Sequence, residues 1–376
     1  MPRLAGWNNL KARNPLELSR ERTRKAKRTA LRIARMRIEV ILIALTSGLY
    51  SFVLSAQTAP ALQLSRTIAL SDVQGKFDHL AIDLAGHRLF IAATGNHSVE
   101  VIDLATDRVQ QSITGLGKPH GLAWVPETGS LYVADGSLGE LRVYKGKPLV
   151  LAATIKLTDD ADDMVYDGAN HLLFVGHGGS DAVNPANVAV IDTSRFALVA
   201  NLRVASHPEA FEIDPQSQRV FANIADSNEV AVIGTGTRAI RTHWKLTKAA
   251  DNVPLAYDHE HKLLYVACRS PGMLIALDSM TGQEVASQPA AGKADDLFYD
   301  AALRRVYMIS GDGEVDAFQV DETKHMYPIG VLRTADGAKT ALFVSAQSLL
   351  YVGVPGTLEH SAEVRVYSTV ATEENR

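Results

Sequence analysis

The hydrophobic positions of the chain repeat one short motif. An aliphatic residue, then Phe or Tyr, then a mostly aliphatic one recurs as Leu89-Phe90-Ile91, Leu131-Tyr132-Val133, Leu173-Phe174-Val175, Val220-Phe221-Ala222, Leu264-Tyr265-Val266, Val306-Tyr307-Met308 and Leu350-Tyr351-Val352. Successive aromatics lie 42, 42, 47, 44, 42 and 44 residues apart. Seven copies at this period suit either four-stranded propeller blades or a helical solenoid. The flanking pattern decides between them. Seven residues before each aromatic stands Asp83, Val125, Asp167, Asp214, Asp258, Asp300 or Val344, each ending a short apolar run such as Leu80-Ala81-Ile82. A few turn residues, as in Ala85-Gly86-His87 or Pro215-Gln216-Ser217-Gln218, then lead into the tripeptide, which reads as a hairpin. A third run follows, as in Val99–Leu104 or Leu274–Asp278, and a fourth, as in Arg108–Ile113. No segment of the repeat offers ten residues of helical period, so the pattern predicts an all-β fold, a seven-bladed β-propeller of four-stranded antiparallel blades.

The seventh copy ends at its third strand, Val364–Ser368, while an unassigned run, Ser65–Leu70, precedes the first. The predicted solution is that this N-terminal strand completes the last blade, which closes the ring and removes exposed edges. The propeller is thereby expected over residues 62–370, with a tail at 371–376.

Charge separates the first 56 residues from the rest. They hold twelve Lys/Arg against Glu17, Glu21 and Glu39, whereas the remainder holds 26 Lys/Arg against 39 Asp/Glu, a net charge of −13. An acidic body is a poor partner for nucleic acid, whose affinity comes from Lys and Arg on phosphates. The fifteen-residue apolar run Val40–Leu54, followed by Ser55-Ala56-Gln57, has the length and small-residue ending of a signal peptide and is short for a membrane span. The basic leader before it is long for a signal sequence, and Met36 lies directly upstream of the run. Residues 1–56 are expected to be a basic leader plus signal peptide, or alternatively a membrane anchor, with the first 35 reflecting a misassigned start. The expected location is periplasmic or secreted, or membrane-anchored facing the periplasm. Cys268 is the single cysteine, so no intrachain disulfide forms, and its apolar run marks it as a buried small side chain.

Residues just before each innermost strand converge on one channel mouth. Aligned on the repeat, one ring position holds Asp78, His120, Asp162, Glu209, Val253, Asp295 and Lys339, and the next holds His79, Gly121, Asp163, Ala210, Pro254, Asp296 and Thr340. His207 and Asn252 lie close by, and the loops between second and third strands add His177, Asn223 and Arg269. Two readings stay open. These groups either line a hydrated channel, with Lys339 pairing Asp295 or Asp78, or they hold a ligand. For a cation, oxygen ligands suit Ca²⁺ or Mg²⁺ and an added imidazole suits Zn²⁺. Arg269 is the best candidate for an anionic group, and a salt bridge to a neighbouring blade's Asp is its ordinary alternative.

Val99-Glu100-Val101-Ile102-Asp103-Leu104-Ala105-Thr106-Asp107-Arg108-Val109 and Leu131-Tyr132-Val133-Ala134 resemble the YncE-like, YVTN-repeat propellers of the bacterial periplasm and cell surface, within the wider WD40-like repeat group. The resemblance spans residues 62–370 and implies the fold well and the activity poorly, since related propellers include binding proteins, lactonases, quinoprotein subunits and haem d1 domains. The leading expectation is a non-catalytic module that binds a small molecule or a protein on the channel-mouth face. No cofactor is required, though a divalent cation fits the mouth. The enzymatic alternative is a metal-assisted lactonase or other hydrolase using His120, Glu209, His207 and Arg269 at the same mouth. A quinone or haem d1 oxidoreductase ranks third, because only Trp124 and Trp244 of the three tryptophans fall inside the propeller.

Overall fold

The computed structural model describes residues 60–180, 182–357 and 360–371. The leader, the apolar run and the last five residues lie outside them, and so does the expectation of a signal peptide or anchor. The described chain forms seven four-stranded antiparallel sheets, each built from consecutive strands except the last. The innermost strands are Leu80–Asp83, Pro119–Val125, Met164–Asp167, Pro208–Asp214, Ala250–Asp258, Ala294–Asp300 and Thr340–Val344, for blades one to seven in turn. Each lies against the innermost strands of its neighbours. In the seventh sheet the N-terminal strand Leu62–Leu70 pairs with Ala362–Thr369, so the closure expected from the repeat is what forms. Three single-turn 3-10 helices are the only helices among the described residues, and none is long and apolar enough to cross a membrane.

The repeated aromatic explains why the blades stack. Phe90, Tyr132, Phe174, Phe221, Tyr265, Tyr307 and Tyr351 are all essentially inaccessible to solvent. Each packs into a cluster shared with the following blade: Phe90 with Leu122, Tyr132 with Met164, Phe174 with Phe211, Phe221 with Leu255, Tyr265 with Leu297 and Tyr307 with Ala341. Tyr351 of blade seven joins Leu80, Leu89 and Ile91 of blade one, where Ile68 and Leu70 of the N-terminal strand also lie. One aromatic per repeat therefore fills the wedge between two twisted sheets, and the seventh returns to the first.

The Asp seven residues before the aromatic fixes the hairpin turn. Asp83 accepts a hydrogen bond from the Gly86 amide (2.9 Å), Asp258 from those of Glu260 and His261, and Asp300 from those of Ala302 and Leu303. A side-chain acceptor two or three residues ahead of a free amide is the local device of an Asx turn. Asp214 does the same for Ser217 and also accepts the Tyr257 hydroxyl across the blade boundary (2.8 Å).

Candidate functional site at the channel mouth

The start of each innermost strand departs from a regular ladder. Blades two, four, five and six shift register between Pro119 and Leu122, Pro208 and Ala210, Asn252 and Leu255, and Ala294 and Asp296. Blades one and three instead hold Asp78-His79 and Asp162-Asp163 by matching backbone pairs, Asp78 N to Ala92 O with Ala92 N to His79 O, and Asp162 N to Gly176 O with Gly176 N to Asp163 O. A bulge turns a side chain out of the sheet's alternation. Here that irregularity falls on the ring position identified from the repeat.

Blades one to four bring together imidazoles and carboxylates. His120 Nδ1 donates to Asp78 Oδ2 at 2.6 Å. The Nε2 of His79 lies 3.6 Å from Asp162 Oδ1 and 3.7 Å from Asp78 Oδ1, and its Nδ1 lies 3.6 Å from Asp163 Oδ1. His207 donates from Nδ1 to the Gly178 carbonyl at 2.8 Å and holds Nε2 3.8 Å from Asp162 Oδ2. Three atoms of this group are buried without a hydrogen-bond partner: Asp162 Oδ1, His120 Nε2 and His207 Nε2. Buried polar atoms without partners are costly and call for a reason.

Blades five to seven are arranged differently. The Arg269 guanidinium donates to Asp295 Oδ1 at 2.7 Å and to the Ala294 carbonyl at 2.8 Å, and Lys339 donates to Asp295 Oδ2 at 2.6 Å. Arg269 and Lys339 are thus engaged by one carboxylate. The ordinary alternatives foreseen for Arg269 and Lys339 are the contacts that form.

The second acid of each Asp-Asp pair latches the next blade. Asp163 Oδ2 accepts the Phe211 amide of blade four at 3.1 Å, and Asp296 Oδ2 accepts the equivalent Ala341 amide of blade seven at 2.6 Å. Protonation follows this division. Burial opposes the charge of Asp162, but His207, His79 and His120 outweigh it and hold the carboxyl well below its usual range. Burial pushes the adjacent Asp163 up, against the pull of His79, and pushes Asp296 up to about 7. Burial also opposes the charge on His79 and His207. The surrounding carboxylates, Asp163 foremost for His79 and Asp162 for His207, raise His79 well above the ordinary imidazole range and His207 to about 9. Burial raises Glu209, with His207 and Arg269 acting against the rise.

Three residues expected in this set are engaged inside blades. His177 belongs to an extended second strand, Leu172–Ser180, rather than a loop; its Nδ1 accepts from Thr158 and its Nε2 lies 2.9 Å from Asn201 Oδ1. Asn223 and Asn252 are wholly buried. Asn223 donates to the Val253 and Pro254 carbonyls and accepts from Asn252 Nδ2 at 2.7 Å, so the pair pins the bulged start of blade five. Asn223 and Arg269 likewise stand on second strands, Arg219–Ile224 and Leu263–Ser270, not in the loops that follow them.

Glu212 is an acid on the innermost strand of blade four that the repeat alignment did not single out. Burial, reinforced by Asp163, pushes it up to about 8. Its signal was present, because the equivalent positions hold Ala81, Ala123, Val165, Ala256, Phe298 and Leu342. The propeller's two tryptophans are committed to packing, Trp124 on Phe90 (5.6 Å) with Arg88 over its ring, and Trp244 against Phe221 (5.6 Å).

No family profile and no curated protein matches the chain. Solved structures do match. One chain in the crystal structure of the mitotic checkpoint complex aligns with a TM-score of 0.69 at 11% identity, over 85% of this chain and 94% of its own. A chain of Kuenenia stuttgartiensis hydrazine synthase aligns with a TM-score of 0.70 at 17% identity, over 81% and 97%. The likeness is one of fold. The seven-bladed propeller is what is shared at these identities.

Proposed function

We propose that the chain is an exported propeller of the YVTN-repeat type that acts as a binding module, its channel mouth receiving a ligand that carries positive charge. The observation that supports this is the charge imbalance of the mouth. Six carboxyl groups, Asp78, Asp162, Asp163, Glu209, Asp295 and Asp296, interact across the mouth with four basic ones, the imidazoles His79 and His207 and the pair Arg269 and Lys339, both of which are engaged by Asp295. Export rests on the apolar run Val40–Leu54 and its small-residue ending. The test is thermal shift and calorimetry with protonated amines, spermidine first, against carboxylic acids of similar size. Amines should stabilise the wild type and lose that effect in Asp78→Asn and Asp162→Asn. Stabilisation by the acids instead, or amine binding unchanged in both variants, would sink the reading.

Metal-assisted hydrolysis is the second reading, favoured by Glu209, a half-buried carboxyl near His207 that burial raises above its ordinary value. A lactone panel tests it: turnover that disappears in Glu209→Gln supports hydrolysis, and no turnover with any added divalent ion refutes it.

A further inference from the structure

The distances around His79 do not describe a finished ion-pair network. Its Nε2 is too far from Asp78 Oδ1 (3.7 Å) and Asp162 Oδ1 (3.6 Å) to hydrogen-bond, yet these three atoms face one another within 4.8 Å. Two ligand atoms at about 2.1 Å from a shared zinc ion, at a tetrahedral angle, lie roughly 3.4 Å apart. Two of the three edges, at 3.6 and 3.7 Å, are close to that length. The buried Asp162 Oδ1 has no hydrogen-bond partner; its nearest imidazole nitrogens, His79 Nε2 and His120 Nδ1, both lie 3.6 Å away.

The opposite atoms of the same three side chains support this arrangement. Asp78 Oδ2 accepts from His120 Nδ1 at 2.6 Å, His79 Nδ1 faces Asp163 Oδ1 at 3.6 Å, and Asp162 Oδ2 faces His207 Nε2 at 3.8 Å. Metal ligands are held as Asp78 is here, with the non-coordinating atom hydrogen-bonded to a partner that fixes its orientation; the other two contacts, at 3.6 and 3.8 Å, are longer than hydrogen bonds and act through charge. Blades one and three contribute the ligand residues, and their partners come from blades two, three and four, so the site depends on the stacking of four blades.

We propose that Asp78 Oδ1, His79 Nε2 and Asp162 Oδ1 bind one divalent metal ion of borderline softness, zinc being the probe of choice, with a coordination position left for water or an external donor. Two carboxylates and one imidazole are too few oxygens for calcium, which takes six to eight, and the nitrogen favours zinc over magnesium. His120 is a positioning residue for Asp78, and Asp163 and His207 supply the charge that faces His79 and Asp162. The proposal rests on the channel mouth being the binding face and names the cation it receives.

The experiment is a titration of the full-length, chelator-treated protein with Zn²⁺ in competition with a chromogenic chelator, repeated with Ca²⁺. One zinc per chain at micromolar affinity or tighter is expected, with calcium at least 100-fold weaker. His79→Ala and Asp162→Asn should each lose at least 100-fold, whereas His243→Ala, which removes the outer-strand partner of Glu229, should change nothing. Circular dichroism checks that the variants fold. Should His79→Ala fail to fold, the visible spectra of Co²⁺-loaded wild type and Asp162→Asn test the same site, a tetrahedral band being expected only in the wild type. No zinc uptake at 100 µM, or equal uptake in wild type and both ligand variants, overturns the site. If zinc fails while spermidine still stabilises the wild type, the metal site falls and the binding face stands. If both fail, both readings fall.

Discussion

The closure of blade seven can be tested at one side chain. Ile68 lies on the N-terminal strand opposite Val364, fully buried among Leu80, Leu89 and Ile91 of blade one and Tyr351 and Val366 of blade seven. Truncating a buried Ile to Ala costs about 2–5 kcal/mol, the transfer term plus the cavity left behind. The walls here are two sheets held apart by the other side chains of the wedge, so little collapse is available. We therefore expect ~3–4 kcal/mol. Leu64, on the same strand, is half exposed, and its truncation should stay within about 0.5 kcal/mol. Urea unfolding followed by tryptophan fluorescence reads both, and at an m-value near ~3 kcal/mol/M the Ile68→Ala midpoint falls by roughly 1 M. Hydrogen exchange gives a second readout, since loosening of Leu62–Leu70 should speed exchange in Ala362–Thr369 before the other blades. A cost below about 1 kcal/mol for Ile68→Ala, or equal costs for the two variants, would refute the reasoning.

Gly121 of blade two faces the Asp162 backbone of blade three, and a Cβ there would stand 2.2 Å from the Asp162 carbonyl oxygen. Gly121→Ala should destabilise by at least ~2 kcal/mol in the same assay and disturb the mouth, whereas an unperturbed stability would show that the two blades can separate freely. Asp214 titrates at about 2, because hydrogen bonds from Ser217 and Tyr257, with Lys262 nearby, outweigh the effect of burial. Its stabilisation is present above the unfolded carboxyl value near ~3.9 and is lost as pH falls through about 2, so the stability gap between wild type and Asp214→Asn should be about 2 kcal/mol at pH 6 and close near pH 2. A gap independent of pH would contradict this. Burial pushes the Cys268 thiol up to about 12, so a thiol reagent at pH 8 should react only after denaturant is added; fast labelling of the native protein would count against the packing of blade five.

The periodic aromatics made the fold legible, because each fills the same wedge and the geometry of a ring leaves little choice of period. The ring positions at the mouth were legible for the same reason. What the repeat could not supply was the pairing. Asp162 and Asp163 are adjacent in the chain and chemically identical, yet one faces three imidazoles and the other latches Phe211 of blade four. That difference arises from how the start of each innermost strand leaves the ladder, which depends on neighbouring blades rather than on local sequence. His177 was misplaced by a similar effect. The Gly176-His177-Gly178-Gly179 run looks like a loop, but it pairs with Pro185–Val188 as strand, and the imidazole turns to Thr158 and Asn201. Glu212 was visible as an acid in an otherwise apolar column, a comparison across strand interiors rather than across the mouth.

The pairing of Leu62–Leu70 with Ala362–Thr369 also sets an order of events. About 290 residues separate the two strands, so the first must wait while the rest of the ring is synthesised. Bringing such distant segments together from a flexible chain costs roughly 5 kcal/mol in loop entropy, by the logarithm of the length. Successive blades can stack as they emerge and carry the two ends toward each other, so most of that search is removed before the final hydrogen bonds form. Until then blade seven has an open edge and the mouth lacks its full circle. A chain interrupted late in synthesis is therefore a sticky, unsealed arc, and the last strand to arrive decides whether six stacked sheets become a protein.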